Sequence, residues 1–344
     1  MASALLWVLG AVSYAVMQPP SNGDVVDRNR QGQSTGAESK PRPKYGWSKQ
    51  LTTAVLTIAV ALTLVGIKAF AYLESGSLSI LSSLTDSVLD SFVSMLVLGS
   101  IIYAHRPADE DHRWGHGKIE AVSALIQASV IIGGAAFLIF ESIRTLVSPS
   151  PIVQHEVGIT IMVISIVLSL AVVLWQRHAL RSTDSLTIEA EAINYGTDAL
   201  INAGTLIVLV ASLYGAPVWI DPLFAVLAAC SMAWMARGLL NKALAMLLDR
   251  ELPDHEREAI IDVISSHAAV LGWHDLRTRC HGQIYDISFD IEVDARLSLW
   301  DSHNVTKDLE RALLERFPQC DVMIHVDPQG FTEDERHRVL GVHF

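Results

Sequence analysis

Residues 78–103 read LSILSSLTDSVLDSFVSMLVLGSIIY, an apolar run broken by two carboxylates, Asp86 and Asp90, four positions apart. A membrane-spanning helix needs about 20 predominantly apolar residues, and this stretch supplies them. Residues 184–213 form a second such stretch, with Asn194 and Asp198 at the same spacing. Positions four apart share one face of a helix, so each pair projects as a unit. A carboxylate near the bilayer centre costs about 3 kcal/mol or more. Three of them persist on two spans only if they face a bundle interior and meet a partner, and the natural partner is a cation. Packed face to face, the two helices offer four oxygen-bearing side chains around one point, a set suited to a four-coordinate divalent ion. The plainer reading is helix-to-helix hydrogen bonding with Ser82, Ser83, Thr85 and Thr197 nearby. That reading serves Asn194 better than it serves three acids, because neither span holds a Lys or Arg, and Lys68 lies near the end of another.

Outward from these two stretches, six segments of suitable length and apolarity can be drawn: 49–72, 78–103, 119–146, 153–178, 184–213 and 218–240. An even number places both ends on one side. Lys and Arg gather before the first span (Arg28, Arg30, Lys40, Arg42, Lys44), between the second and third (Arg106, Arg113, Lys118), between the fourth and fifth (Arg177, Arg181) and after the sixth (Arg237, Lys242). The alternate connections, 73–77, 147–152 and 214–217, carry none. The positive-inside rule therefore expects the N-terminus and the C-terminal region in the cytoplasm.

At 344 residues and 51% hydrophobic, the chain is too apolar for an ordinary soluble protein, yet its charge is unevenly placed. From Glu251 onward lie 19 of the 37 acidic residues and 8 of the 13 histidines, with only 9 of the 25 Lys and Arg. A soluble, acidic, histidine-rich domain is expected to follow a membrane domain, and its sign argues against nucleic-acid binding. The expected division is residues 1–46 as an apolar stretch and disordered segment, 47–248 as the membrane domain, 249–328 as the cytoplasmic domain and 329–344 as a tail. Residues 2–17 are short for a span and lack the basic flank of a signal peptide. Within the cytoplasmic domain, periodicity predicts a helix over 254–269, strands over 273–280 and 284–293, a helix over 302–316 and a strand over 320–327, a small α+β sandwich. Cys230, Cys280 and Cys320 form no C-x-x-C pair, so neither a disulfide framework nor a thiolate zinc site is indicated.

Between spans two and three, residues 109–118 read DEDHRWGHGK. Asp109, His112 and His116 have the mixed carboxylate and imidazole composition of a zinc-type site, and the glycines allow a tight turn around it. A solvated cytoplasmic loop would look the same. Lys118 is expected to pair with an acid such as Asp249 as a structural joint.

Together, D-S-x-x-D at 86–90, H-x-x-G-H-G-K-x-E at 112–120, E-S-I-R at 141–144, N-x-x-x-D at 194–198, W-I-D-P at 219–222 and H-V-D-P at 325–328 resemble the cation diffusion facilitator family, in particular its bacterial iron and zinc efflux branch. The likeness covers residues 47 to 328 in order. It implies a polytopic α-helical membrane protein of six transmembrane helices with a C-terminal α+β, ferredoxin-like and metallochaperone-like cytoplasmic domain. It also implies a homodimer in the bacterial inner membrane that exports zinc, iron, manganese or cadmium in exchange for protons, with no organic cofactor. Carried over position by position, Asp86, Asp90, Asn194 and Asp198 form the transport site, and Asp109, His112 and His116 the loop site. A cytoplasmic site or sites at the dimer interface would draw on His274, Asp290, His303, His325 and Asp327. Lys118 and Asp249 match a salt-bridge pair at the joint of the two protomers. His325 and Asp327, two apart in a strand, share a sheet face. His255, His267, His337 and His343 read as surface residues, and His281 stands open between surface and ligand roles.

Two positions depart from the family's zinc transporters, which commonly carry histidine where this chain has Asn194 and Asp290. An amide or carboxylate oxygen is harder than an imidazole nitrogen, which weakens the preference for zinc. Asn194 also cannot titrate, so proton exchange would fall to the carboxylates and water. Three rival functions remain. An intramembrane aspartyl protease needs its two aspartates on facing helices, whereas Asp86 and Asp90 share one. An organic-cation exporter wants an aromatic pocket that flanks neither pair. A metal sensor or scaffold of the same fold would bind metal without moving it.

Overall fold

The computed structural model describes residues 47–75, 78–147, 156–181, 185–214 and 219–330, with Thr183 and Pro217 between them. The N-terminal segment 1–46 and residues 331–344 of the expected tail lie outside the described residues. Among the described residues, six long helices come first: α1 (Trp47–Ser75), α2 (Leu78–Ala104), α3 (Ile119–Val147), α4 (Glu156–Leu180), α5 (Leu186–Leu213) and α6 (Ile220–Leu247). Five of them contain segments long and apolar enough to cross a membrane, namely Lys49–Glu74, Ser83–Ala104, Ile119–Val147, Val163–Leu180 and Pro222–Leu247. The sixth, α5, has the length, but Glu191, Asn194, Asp198 and Asn202 interrupt its apolar run.

Small side chains decide which helices approach most closely. Along α3, Ala121, Ala124, Ala128 and Ala135 recur at helical spacing and are fully or nearly fully buried against Ala190 of α5 and Ala229, Ala236, Leu239 and Ala243 of α6. Between helices in lipid, association comes from such close van der Waals fit, because the tails are as apolar as the side chains. Gly204 of α5 marks the tightest point: a Cβ there would lie 1.6 Å from the ring of Phe224 on α6. The most extensive pairings are α3 with α6, α1 with α2 and α4 with α5, and α2 also touches α5. That last contact brings the two polar pairs together.

The cytoplasmic part runs α7 (Asp254–Ser266), β1 (Gly272–His281), β2 (Ile284–Val293), α8 (Leu299–Arg316) and β3 (Cys320–Pro328). The expected order of elements is present, with boundaries shifted by a few residues. The sheet order is β1-β2-β3, with β1 antiparallel and β3 parallel to β2. The parallel pair requires the α8 crossover, which begins at Ser298, whose hydroxyl accepts the amide of Asp301 at 3.1 Å as an N-cap. Alternation then sorts the faces. Ile287, Phe289, Ile291 and Val293 of β2 pack under Val305, Leu309 and Leu313 of α8 and Ile260 and Ile264 of α7, all buried. Asp286, Asp290, Glu292, His325 and Asp327 fall on the other face. Between His274 and Arg277 the pairing of β1 with β2 slips by one residue, and within this bulge Asp275 takes a φ of 52°. A bulge re-aims the neighbouring side chain, here His274. No periodicity argument from the sequence predicted it.

Candidate metal sites

Within the helical bundle, Asn194 Nδ2 of α5 donates to Asp90 Oδ1 of α2 at 3.2 Å. Asp90 and Asp198 are half-buried and Asp86 is exposed. One oxygen of Asp198, Oδ2, is shielded from solvent and has no hydrogen-bond partner. Among the described residues, the three aspartates are not drawn as close as the ligand groups described below. The pairs therefore face one another across the α2–α5 contact, with Asp90 and Asn194 touching.

Two neighbours of this site were not singled out by the sequence. Lys68 reads as an end-of-span residue, yet its ammonium is buried and donates to Ser87 Oγ at 2.7 Å and the Ser83 carbonyl at 3.1 Å, on the turn of α2 that carries Asp86. Its partner helix could not be known from α1 alone. Glu191, one turn before Asn194, is fully buried and accepts from Gln176 Nε2 at 3.1 Å, which also reaches Thr57 Oγ1 at 3.2 Å. Tyr195 OH and Ser94 Oγ are 3.3 Å apart beside it. A buried polar layer linking α1, α2, α4 and α5 thus underlies the aspartates. The available signal was the charge of Glu191 inside an otherwise apolar run.

Among the described residues, two groups of three acid or histidine side chains each bring one ligand atom within 4.8 Å of the others. The first is Asp109, His112 and His116 in the loop after α2. Asp109 Oδ1 accepts the amide of His112 at 2.6 Å and that of Asp111 at 3.1 Å, and Gly115, at φ 85°, reverses the chain so that its amide reaches the His112 carbonyl at 2.9 Å. His112 Nδ1 lies 3.1 Å from Asp109 Oδ1, and His116 Nε2 3.2 Å from Asp109 Oδ2. The hydrogen bond from the His112 amide, with its ring and that of His116 adding, holds the Asp109 carboxyl below the usual range. An ionised carboxylate between two imidazoles is a donor set that fits a zinc-like ion.

The second group is His274, Asp290 and Asp327 on the open face of the sheet. His274 Nε2 stands 3.8 Å from Asp290 Oδ2 and 3.7 Å from Asp327 Oδ2, with Glu292 Oε1 3.9 Å from the other ring nitrogen. These separations exceed hydrogen-bond length and match ligands that share one ion at about 2 Å from each. His325 Nε2 joins at 3.2 Å from Asp327 Oδ1. Burial pushes the Asp290 carboxyl up, against the pull of His325 and His274. The structure does not bring His303 to this group. It lies exposed on α8 and lines a groove with Ile324 and Val326, on the opposite face of the sheet.

The joint between the two parts is built from charges. Lys118 Nζ and Asp249 Oδ1 are 2.8 Å apart, and Asp249 also lies 3.5 Å from Arg279. Arg279 bonds Asp286 at 2.9 Å and stacks over Trp114 of the loop, 4.6 Å from its ring centre. His281, buried, holds Asp286 from the other side at 2.9 Å. Gly117 packs directly on the His281 backbone, where an added Cβ would come within 2.7 Å of the carbonyl oxygen.

Comparison with known families agrees with this arrangement. Residues 54–248 match the cation efflux transmembrane domain and residues 252–329 the cation efflux protein cytoplasmic domain. The chain belongs to the cation diffusion facilitator family of cation-efflux proteins and is an integral membrane transporter. Among its relatives, the cation-efflux pump FieF of Shewanella oneidensis is 43% identical over 282 residues, 82% of this chain and 94% of that protein. The cation-efflux pump FieF of Yersinia pestis is 39% identical over 296 residues, 86% of this chain and 98% of that protein. A solved metal-bound C-terminal domain of the CzcD transporter from Thermotoga maritima is 34% identical, covering 24% of this chain and 100% of that one, with a TM-score of 0.23.

Proposed function

We propose that this chain exports divalent transition-metal ions across the bacterial inner membrane as a homodimer, with both termini cytoplasmic, exchanging metal for protons at Asp86, Asp90, Asn194 and Asp198. The observation that supports this most directly is the apposition of α2 and α5, in which Asn194 touches Asp90 while Asp198 keeps an unpartnered buried oxygen beside them. A metal ion satisfies that oxygen and offsets the carboxylate charge, which lipid does not. Alternating access then needs two bundle arrangements with different affinities for metal. In the inward-facing arrangement the carboxylates give up protons and take metal, and on the far side protons displace it.

The oxygen-rich donor set, with Asn194 in place of a nitrogen ligand, favours harder ions such as iron(II) and manganese beside zinc and cadmium. The loop group Asp109, His112 and His116 and the sheet group His274, Asp290, Asp327 and His325 bind further ions in this reading, and His303 reaches such a site only across a dimer. Metal flux into vesicles containing the reconstituted protein tests it across zinc, iron, manganese and cadmium. Asp90→Ala and Asp198→Ala are expected to abolish flux, and collapsing an imposed proton gradient to slow it. Metal binding without flux in the unaltered protein would instead identify a sensor.

A further inference from the structure

We infer that Lys68 is a tethered counter-cation of the intramembrane carboxylates and sets how tightly they hold a dication. The inference rests on the transport-site reading of Asp86, Asp90, Asn194 and Asp198. Lys68 projects from α1 with 6% of its surface exposed. Its ammonium is fixed on α2 by Ser87 Oγ at 2.7 Å and the Ser83 carbonyl at 3.1 Å. Ser87, 3% exposed, follows Asp86 directly and precedes Asp90 by three residues, so the charge is parked on the turn between the two. Asp90 in turn meets Asn194 of α5, one turn before Asp198, so the ammonium and the polar pairs occupy neighbouring turns of the same helix contact.

A buried ammonium is retained only where opposite charge and hydrogen bonds offset its desolvation. The two α2 oxygens satisfy two of its three donors, and the carboxylates supply the charge. Three carboxylates against one fixed ammonium leave two negative charges, the number a dication neutralises. The ammonium repels an incoming metal ion at the same time. Even about 10 Å apart, two unit charges at an effective dielectric of about 20 interact by enough to change affinity about tenfold, so Lys68 holds binding loose enough for the metal to leave. A purely structural lysine bridging α1 to α2 would affect stability and leave metal affinity alone.

The test is zinc flux into vesicles carrying the full-length protein, with the unfolding temperature of each variant followed in detergent. Lys68→Met is expected to lower KM for zinc about tenfold or more and to lower kcat with it, because tighter binding slows release. Lys68→Arg, which keeps the charge, should stay near the unaltered protein. Ser87→Ala removes the hydroxyl that holds the ammonium back and lets it press further onto the carboxylates, so KM should rise several-fold. A folded Lys68→Met protein with unchanged or raised KM overturns the inference, as does a fall in KM for Ser87→Ala, which decides the matter alone if Lys68→Met does not fold. If Asp90→Ala and Asp198→Ala retain full flux, the transport-site reading itself has failed, and the inference with it.

Discussion

Asp249 occupies a backbone conformation that most residues avoid, φ 54°, and it does so at the end of α6, where the amide of Arg250 closes back on the Ala245 carbonyl at 2.9 Å. Such a left-handed helix stop usually takes glycine, with asparagine or aspartate as the tolerated substitutes. Aspartate adds a carboxylate that reaches Lys118. Both partners are nearly half exposed, so the ion pair itself contributes at most about 1 kcal/mol. Asp249→Asn should therefore cost little in thermal unfolding and lose its remaining effect at high salt. Asp249→Val adds a strained left-handed backbone and should cost about 1–3 kcal/mol more. Asp286 gives a second check. Burial alone would push its carboxyl up, but the hydrogen bond and charge of His281, then Arg279, outweigh it and hold the carboxyl below its ordinary 3.8. A group with a depressed folded value stabilises fully above the unfolded value, and that contribution fades as pH falls through the folded one. Denaturation curves against pH should thus be flat for this interaction down to about pH 4 and then decline, and Asp286→Asn should flatten that acid decline.

At the scale of elements, the contact between α5 and α6 is set by an absent side chain. Gly204→Val places branched carbons where the Phe224 ring sits and should destabilise by about 1–3 kcal/mol. Thermal unfolding in detergent measures this, and Phe224→Leu in the same chain should recover part of the loss. In the sheet, deleting Asp275 removes the extra residue of the bulge. The regular register still sets His274 opposite Asp290, and equilibrium dialysis with zinc should show as many ions per chain as in the unaltered protein. The order of helices and strands was legible before the structure because apolar runs and period-two alternation are local signals. The facing of Asp90 and Asn194 followed from two i, i+4 spacings and the cost of charge in lipid. The bulge at Asp275 was not legible, since it is a relation between two strands. Nor was the docking of Lys68 on α2, which depends on how α1 is rotated against its neighbour. His303 was carried over from the family resemblance, and position along the chain does not say on which face of a sheet a helix will lie.

Across the whole molecule, the helical bundle and the cytoplasmic domain meet at a joint in which Gly117 lies bare against the His281 backbone and Trp114 lies under Arg279. Gly117→Ala inserts a methyl where the partner is backbone and cannot turn aside, so the two parts must separate by a fraction of an ångström or more. Hydrogen–deuterium exchange should then rise together over residues 114–118 and 279–283, and remain unchanged in the cores of α3 and α6. The polar interruptions of α5 bear on how the chain comes to rest in lipid at all. A newly made segment with Glu191, Asn194, Asp198 and Asn202 partitions poorly by itself, since acidic residues near the centre of an inserting segment each oppose entry by about 2.5–3.5 kcal/mol. Glu191 finds Gln176 on α4, and Asn194 finds Asp90 on α2. Biogenesis should therefore wait at this point: the fifth segment enters the bilayer as a passenger of helices already seated there.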